Sequence, residues 1–129
     1  MSTGGTVMRF RNRMVERKIF AGGVSDPATI SPALAEELFK VGTRPGHYKA
    51  FLNLINNTAG WERVRAEYGR IEIPVLLIYG DKDWSLPEER EANKLSIPGV
   101  QMGIVKNGGH FLSLDRPREL EQLILKFTG

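Results

Sequence analysis

The chain has 129 residues, 41% hydrophobic and 26% charged, which suits one folded domain or part of one and excludes a disordered, charge-dominated segment. It has no cysteine, so disulfides and thiolate metal sites are excluded, and no apolar run reaches the roughly 18 residues of a membrane span. The net charge of +3 is mild and gathers near the start, where Arg9, Arg11, Arg13, Arg17 and Lys18 face only Glu16.

That basic stretch reads as a solvated helix face. Neither an RNA-binding aromatic motif nor zinc-finger spacing accompanies it, so no nucleic-acid partner is expected. It has too few serines and no clear apolar face for a transit peptide, and no secretory leader pattern is present, so a cytoplasmic location is expected. Residues 7–69 read as short helices between turns. Ser31 is a good cap with Pro32 in the first turn, Leu34, Leu38 and Val41 share a face, and Gly42 ends the element. After the loop Thr43-Arg44-Pro45-Gly46, the spacing of Tyr48, Phe51, Leu52 and Ile55 predicts an amphipathic helix from His47 to Asn57. A third short helix runs from Trp61 to Tyr68.

Residues 70–129 read as β-α-β-α. Ile73 to Tyr79 is a continuous apolar run, as expected of a strand covered on both faces, with Pro74 at its start. A helix starts at Leu86-Pro87-Glu88-Glu89 and runs to about Ser96. Pro98-Gly99 turns the chain into a strand from Val100 to Val105. Asp115 is placed to cap a last helix with Pro117 in its first turn, and Leu120, Leu123, Ile124 and Phe127 form its buried stripe. Two parallel strands do not make a stable sheet alone, so this α/β pattern reads as the end of a larger fold.

Each strand is followed by a loop that could carry chemistry: Gly80-Asp81-Lys82-Asp83-Trp84 and Asn107-Gly108-Gly109-His110-Phe111. The carboxyl ends of parallel strands are where α/β sheets place their sites. A carboxylate there can hold an imidazole in one tautomer and stabilise its protonated form. Asp83 and His110 are therefore the candidate acid–base pair. Asp81 is the competing acid, with an Asx-type turn as its other reading. Trp84 reads either as packing beside the site or, the favoured reading, as a seal over the helix below, and Phe111 reads as a core residue below the histidine. His47 reads as a solvent-facing helix residue without metal-ligand company, and Glu88, Glu89, Glu91 and the Arg116–Glu119 group read as solvated helix charges. No phosphate loop occurs.

With both loops placed, Ile73 to Phe127 resembles the C-terminal part of the α/β-hydrolase fold family. The resemblance rests on Ile-Pro-Val-Leu-Leu-Ile-Tyr-Gly before the acid loop, on Gly-Gly-His-Phe, and on Leu114-Asp115-Arg116-Pro117 leading into a terminal helix. It implies Asp83 as triad acid and His110 as triad base, with no cofactor and no metal. Residues 1–69 resemble the helical cap of such proteins more loosely, and a small-molecule substrate is implied. The family's Gly-x-Ser-x-Gly elbow is missing. Its nearest imitation, Gly23-Val24-Ser25-Asp26-Pro27, has Pro27 where the second glycine belongs and lacks a preceding buried strand, so Ser25 reads as a turn or cap residue. A serine nucleophile would imply ester, amide or thioester hydrolysis, and an aspartate would imply epoxide or halide chemistry. The chain is accordingly expected to be a truncated or partner-dependent hydrolase completed by the N-terminal half of the core, with Met1 or Met8 as an internal methionine. The alternative is a non-catalytic binding module that keeps the end of the fold.

Overall fold

The computed structural model describes residues 13–129, so Arg9 and Arg11 of the basic stretch lie outside the described residues. Among the described residues four helices come first: α1 (Arg13–Gly22), α2 (Pro32–Gly42), α3 (His47–Ile55) and α4 (Thr58–Ala66). They lead into β1 (Leu76–Gly80), α5 (Pro87–Ser96), β2 (Gln101–Val105), the one-turn α6 (Leu112–Asp115) and α7 (Pro117–Thr128). Short 3-10 turns at Pro27–Thr29 and Tyr68–Arg70 join the helical stretches.

Local chemistry explains most boundaries. The Ser31 hydroxyl accepts a hydrogen bond from the Leu34 N–H at 3.1 Å and starts α2 as expected. Glu89 reaches back to accept from the Leu86 N–H at 2.8 Å, which caps α5. α4 begins three residues earlier than the apolar spacing predicts, at Thr58. β1 is shorter than the apolar run: Pro74 lacks a donor, Ile73 is 71% exposed, and the ladder begins at Leu76. Arg13 lies over the Phe39 ring at 4.6 Å and donates to Glu36 at 2.9 and 3.1 Å, so α1 and α2 pack as a pair.

β1 and β2 pair in parallel, with Leu76 opposite Gln101 and Gly80 opposite Val105. Side chains alternate across the sheet, so Ile78 and its partner Gly103 face one way and Tyr79 the other. Leu123 of α7 fills the space over Gly103, 3.1 Å from where a Cβ would stand. On the opposite face Asn93 of α5 donates to the Tyr79 hydroxyl at 3.1 Å. Each face thus carries one helix, and among the described residues β1 has no strand on its other edge. Among the described residues the buried apolar core is small, Val24, Ile30, Ile97, Val105 and Leu112, and of these Ile30 is fully buried. Large apolar side chains such as Leu95, Ile104 and Leu125 remain exposed, and of the expected α7 stripe Ile124 is exposed while Leu120, Leu123 and Phe127 are half-buried. No helix among the described residues is long and apolar enough to cross a membrane.

Candidate active site

The two loops meet because the strands before them end in register and glycine lets their backbones touch. Gly80 closes β1 directly against Gly108 and Gly109, where a Cβ would overlap the Gly108 carbonyl. Besides the contact of Asp83 with His110, three bonds tie the acid loop to the end of β2 and the loop after it: Asp81 N–H to the Val105 carbonyl (3.0 Å), Lys82 N–H to the Gly108 carbonyl (2.9 Å), and Gly108 N–H to Asp81 Oδ1 (3.2 Å). Asp81 therefore fastens one loop to the other and does not meet the imidazole. Asn107, with φ of 55°, turns the chain between β2 and the glycines.

Asp83 Oδ2 lies 3.1 Å from His110 Nδ1. The Asp83 side chain is only 9% exposed, whereas that of His110 is 44% exposed. The other carboxylate oxygen, Oδ1, accepts from the Ser85 N–H at 2.7 Å and its hydroxyl at 2.6 Å. Burial by itself would raise the Asp83 pKa. The Ser85 hydroxyl, the Ser85 N–H and His110 outweigh it and hold the carboxyl below its usual range. An ionised Asp83 requires the proton on Nδ1 of a neutral His110 and leaves Nε2 as an outward-facing base. Among the described residues no side chain bonds to Nε2.

Three neighbours complete the arrangement, and the first of them, Trp84, takes the less favoured of its two sequence readings. Trp84 stacks on the imidazole, with centroids 4.4 Å apart and planes 18° from parallel. It lies beside the pair and does not seal the helix, because its Nε1–H donates to the Gly22 carbonyl, an otherwise open acceptor at the end of α1, at 3.0 Å. Phe111 sits edge-on to both His110 (5.2 Å) and Trp84 (5.5 Å). Buried Arg90 holds the acid loop from beneath, donating to the carbonyls of Gly80 (2.9 Å), Asp83 (3.1 Å) and Ser85 (2.6 Å).

Asp115 is not a helix cap. Arg116 occupies the cap position of α7 without a side-chain bond, and the Asp115 side chain is fully buried. It accepts from the Gly109 N–H (2.7 Å), the Ser25 N–H (2.9 Å) and the Ser25 hydroxyl (2.9 Å). Arg116, expected among solvated charges, donates to the same hydroxyl at 3.2 Å. Ser25 is thus held by Asp115 and Arg116, and no bond connects it to His110. A groove of about 470 Å³ opens between α4 and α5, bounded by Trp61, Val64, Tyr68, Ser85 and Asn93 among others. Its lining includes Ser85 and not His110, so it opens beside the acid loop and not over the imidazole.

No family model matches the chain. Curated proteins similar to parts of the chain include the following two. Carboxylesterase YbfK of Bacillus subtilis is 38% identical over 63 residues, covering 47% of this chain and 21% of that protein. Bifunctional epoxide hydrolase 2 of Rattus norvegicus is 26% identical over 114 residues, covering 84% of this chain and 21% of that protein. The chain thus spans about a fifth of the length of these relatives. Among solved structures, Cfl2 from Burkholderia cenocepacia superposes with a TM-score of 0.80 at 21% identity, over 98% of this chain and 44% of its own.

Proposed function

The chain has the C-terminal part of the α/β-hydrolase fold, and from that premise we propose that it supplies the acid–histidine half of a hydrolase active site. The carrying observation is the 3.1 Å contact between Asp83 Oδ2 and His110 Nδ1, made at the carboxyl ends of two parallel strands. In this reading Asp83 fixes the imidazole tautomer and stabilises its charged form. His110 Nε2 takes the proton from a nucleophile and then activates the water that releases the product. The bond cleaved is an ester or a related one, a reading supported by the similarity to a carboxylesterase. The helical segment before β1 contributes a cap over the substrate.

The nucleophile comes from another part of the complete enzyme. Ser25 is engaged by Asp115 and Arg116, and Ser85 is engaged by Asp83. The similarity to an epoxide hydrolase supports a second version of the same site. There the nucleophile is a carboxylate, and His110 activates the water that opens its ester intermediate.

The test joins or co-expresses the full chain with an α/β-hydrolase core segment bearing a Gly-x-Ser-x-Gly turn. Hydrolysis of p-nitrophenyl butyrate is then measured for the chain alone and for the assembly. The chain alone is expected to stay at background. In the assembly, His110→Ala is expected to lower turnover by roughly 10⁴-fold or more. Turnover that survives His110→Ala refutes the proposal, and a folded, inert assembly favours a binding module.

A further inference from the structure

The residues flanking His110 are held by a segment far away in sequence. Gly109 N–H donates to Asp115, and Phe111 N–H donates to the Gly23 carbonyl at 2.9 Å. The strand of chain from Gly22 to Ser25 also accepts the Trp84 indole at Gly22 and reaches Asp115 through both the N–H and the hydroxyl of Ser25. It therefore touches both loops of the acid–histidine pair. Contact this close requires glycine at 109, because a Cβ there would stand 2.5 Å from the Gly23 carbonyl oxygen and 2.8 Å from Val24 Cα. Asp115 is the junction: one oxygen, Oδ2, joins the peptide before His110 to the strap, while Oδ1 holds the Ser25 hydroxyl.

We propose that Asp115 is a positioning residue for His110, acting through the Gly22–Ser25 strap to keep the imidazole aligned on Asp83. The proposal rests on the acid–base role of His110 suggested above and assigns the alignment to a buried carboxylate outside the pair. Burial of a carboxylate is unfavourable unless donors surround it, and here three donors do so. Those donors are the groups that fix the loop. Removing the carboxylate leaves the N–H of Gly109 and of Ser25 without their acceptor, so the loop must shift to find another.

The experiment reads the proton on the ring and not turnover, so it can fail while the hydrolase reading stands, and the reverse. Nitrogen-15 spectra of the full chain report the ratio of Nδ1-protonated to Nε2-protonated His110 across roughly pH 5 to 8. The wild type is expected to show the Nδ1-protonated form. Asp115→Ala is expected to lose most of that form while amide signals of β1 and α5 stay in place. Asp115→Asn is expected to keep it, since one amide oxygen can accept both backbone N–H groups and the NH₂ can donate to Ser25. If Asp115→Ala does not fold, Asp115→Glu serves instead: it keeps the charge but moves the carboxylate by a methylene, and the same loss is expected. A folded Asp115→Ala or Asp115→Glu with the wild-type ratio overturns the proposal. So does an Asp115→Asn ratio shifted as far as that of alanine.

Discussion

Gly80→Ala should separate the two loops without touching either member of the pair. The added methyl would overlap the Gly108 carbonyl and stand 2.6 Å from the Gly109 carbonyl oxygen, and both obstacles are backbone that cannot rotate away. Forcing a methyl into such a space costs about 1 to 3 kcal/mol. Moving Gly108 also breaks its bonds to Lys82 N–H and Asp81 Oδ1, each worth about 0.5 to 1.5 kcal/mol net. The expected loss is therefore about 2 to 6 kcal/mol, a large share of the roughly 5 to 15 kcal/mol typical of a domain. Urea unfolding followed by far-UV circular dichroism checks it. With a slope of about 2 kcal/mol per molar, the midpoint should fall by about 1 to 3 M. A fall of less than about 0.3 M would refute the claim that this glycine is required by the close approach of the loops.

Two further predictions test the supports of the site. Arg90→Met keeps the bulk on α5 but strips donors from three carbonyls, including the buried Gly80 oxygen. It should destabilise the chain by about 2 to 4 kcal/mol in the same assay, and a change below about 0.5 kcal/mol would show that the clamp is dispensable. Acid should also weaken the fold. For Asp115, burial raises the pKa, but the N–H groups of Ser25 and Gly109, the Ser25 hydroxyl and Arg116 outweigh it. Asp115 therefore titrates below its ordinary value, as Asp83 does. A carboxyl with a lower pKa in the folded than in the unfolded chain contributes stability above its unfolded pKa of about 3.9, and that stability is lost as pH falls through the folded value. Melting temperature should thus drop steeply below about pH 4. Asp115→Asn should flatten the drop, and an unchanged profile would contradict the assignment.

What could be read in the sequence was local. The apolar run before Gly80, the turn at Pro98-Gly99 and the Ser31 cap are short-range patterns, and the structure has them with end shifts set by Pro74 and by the early start of α4. The meeting of Asp83 and His110 could be expected because two parallel strands bring their following loops to one end of a sheet. Asp115, Arg90 and Trp84 were misread or passed over for one reason. An aspartate two residues before a proline looks like a helix cap, an arginine in a Glu-Glu-Arg-Glu run looks solvated, and a tryptophan before a helix looks more like a seal on that helix than a neighbour of the site. Their partners decide otherwise, and for Asp115 and Trp84 these lie 90 and 62 residues away. A buried charge in a chain with few buried apolar residues is the kind of feature that composition and periodicity do not register.

The distance along the chain between Ser25 and Asp115 also has a kinetic meaning. Local pieces such as α5 and the turn after it can form early, but the strap joins Asp115 only after a loop of 90 residues has closed. If those contacts are the last to close, the amides of Ser25, Gly109 and Phe111 are expected to exchange hydrogen sooner than those of β1, and slower exchange there than in β1 would refute it. On the role proposed for His110, an influence that loosens α1 is then expected to disturb the imidazole before it unfolds the sheet.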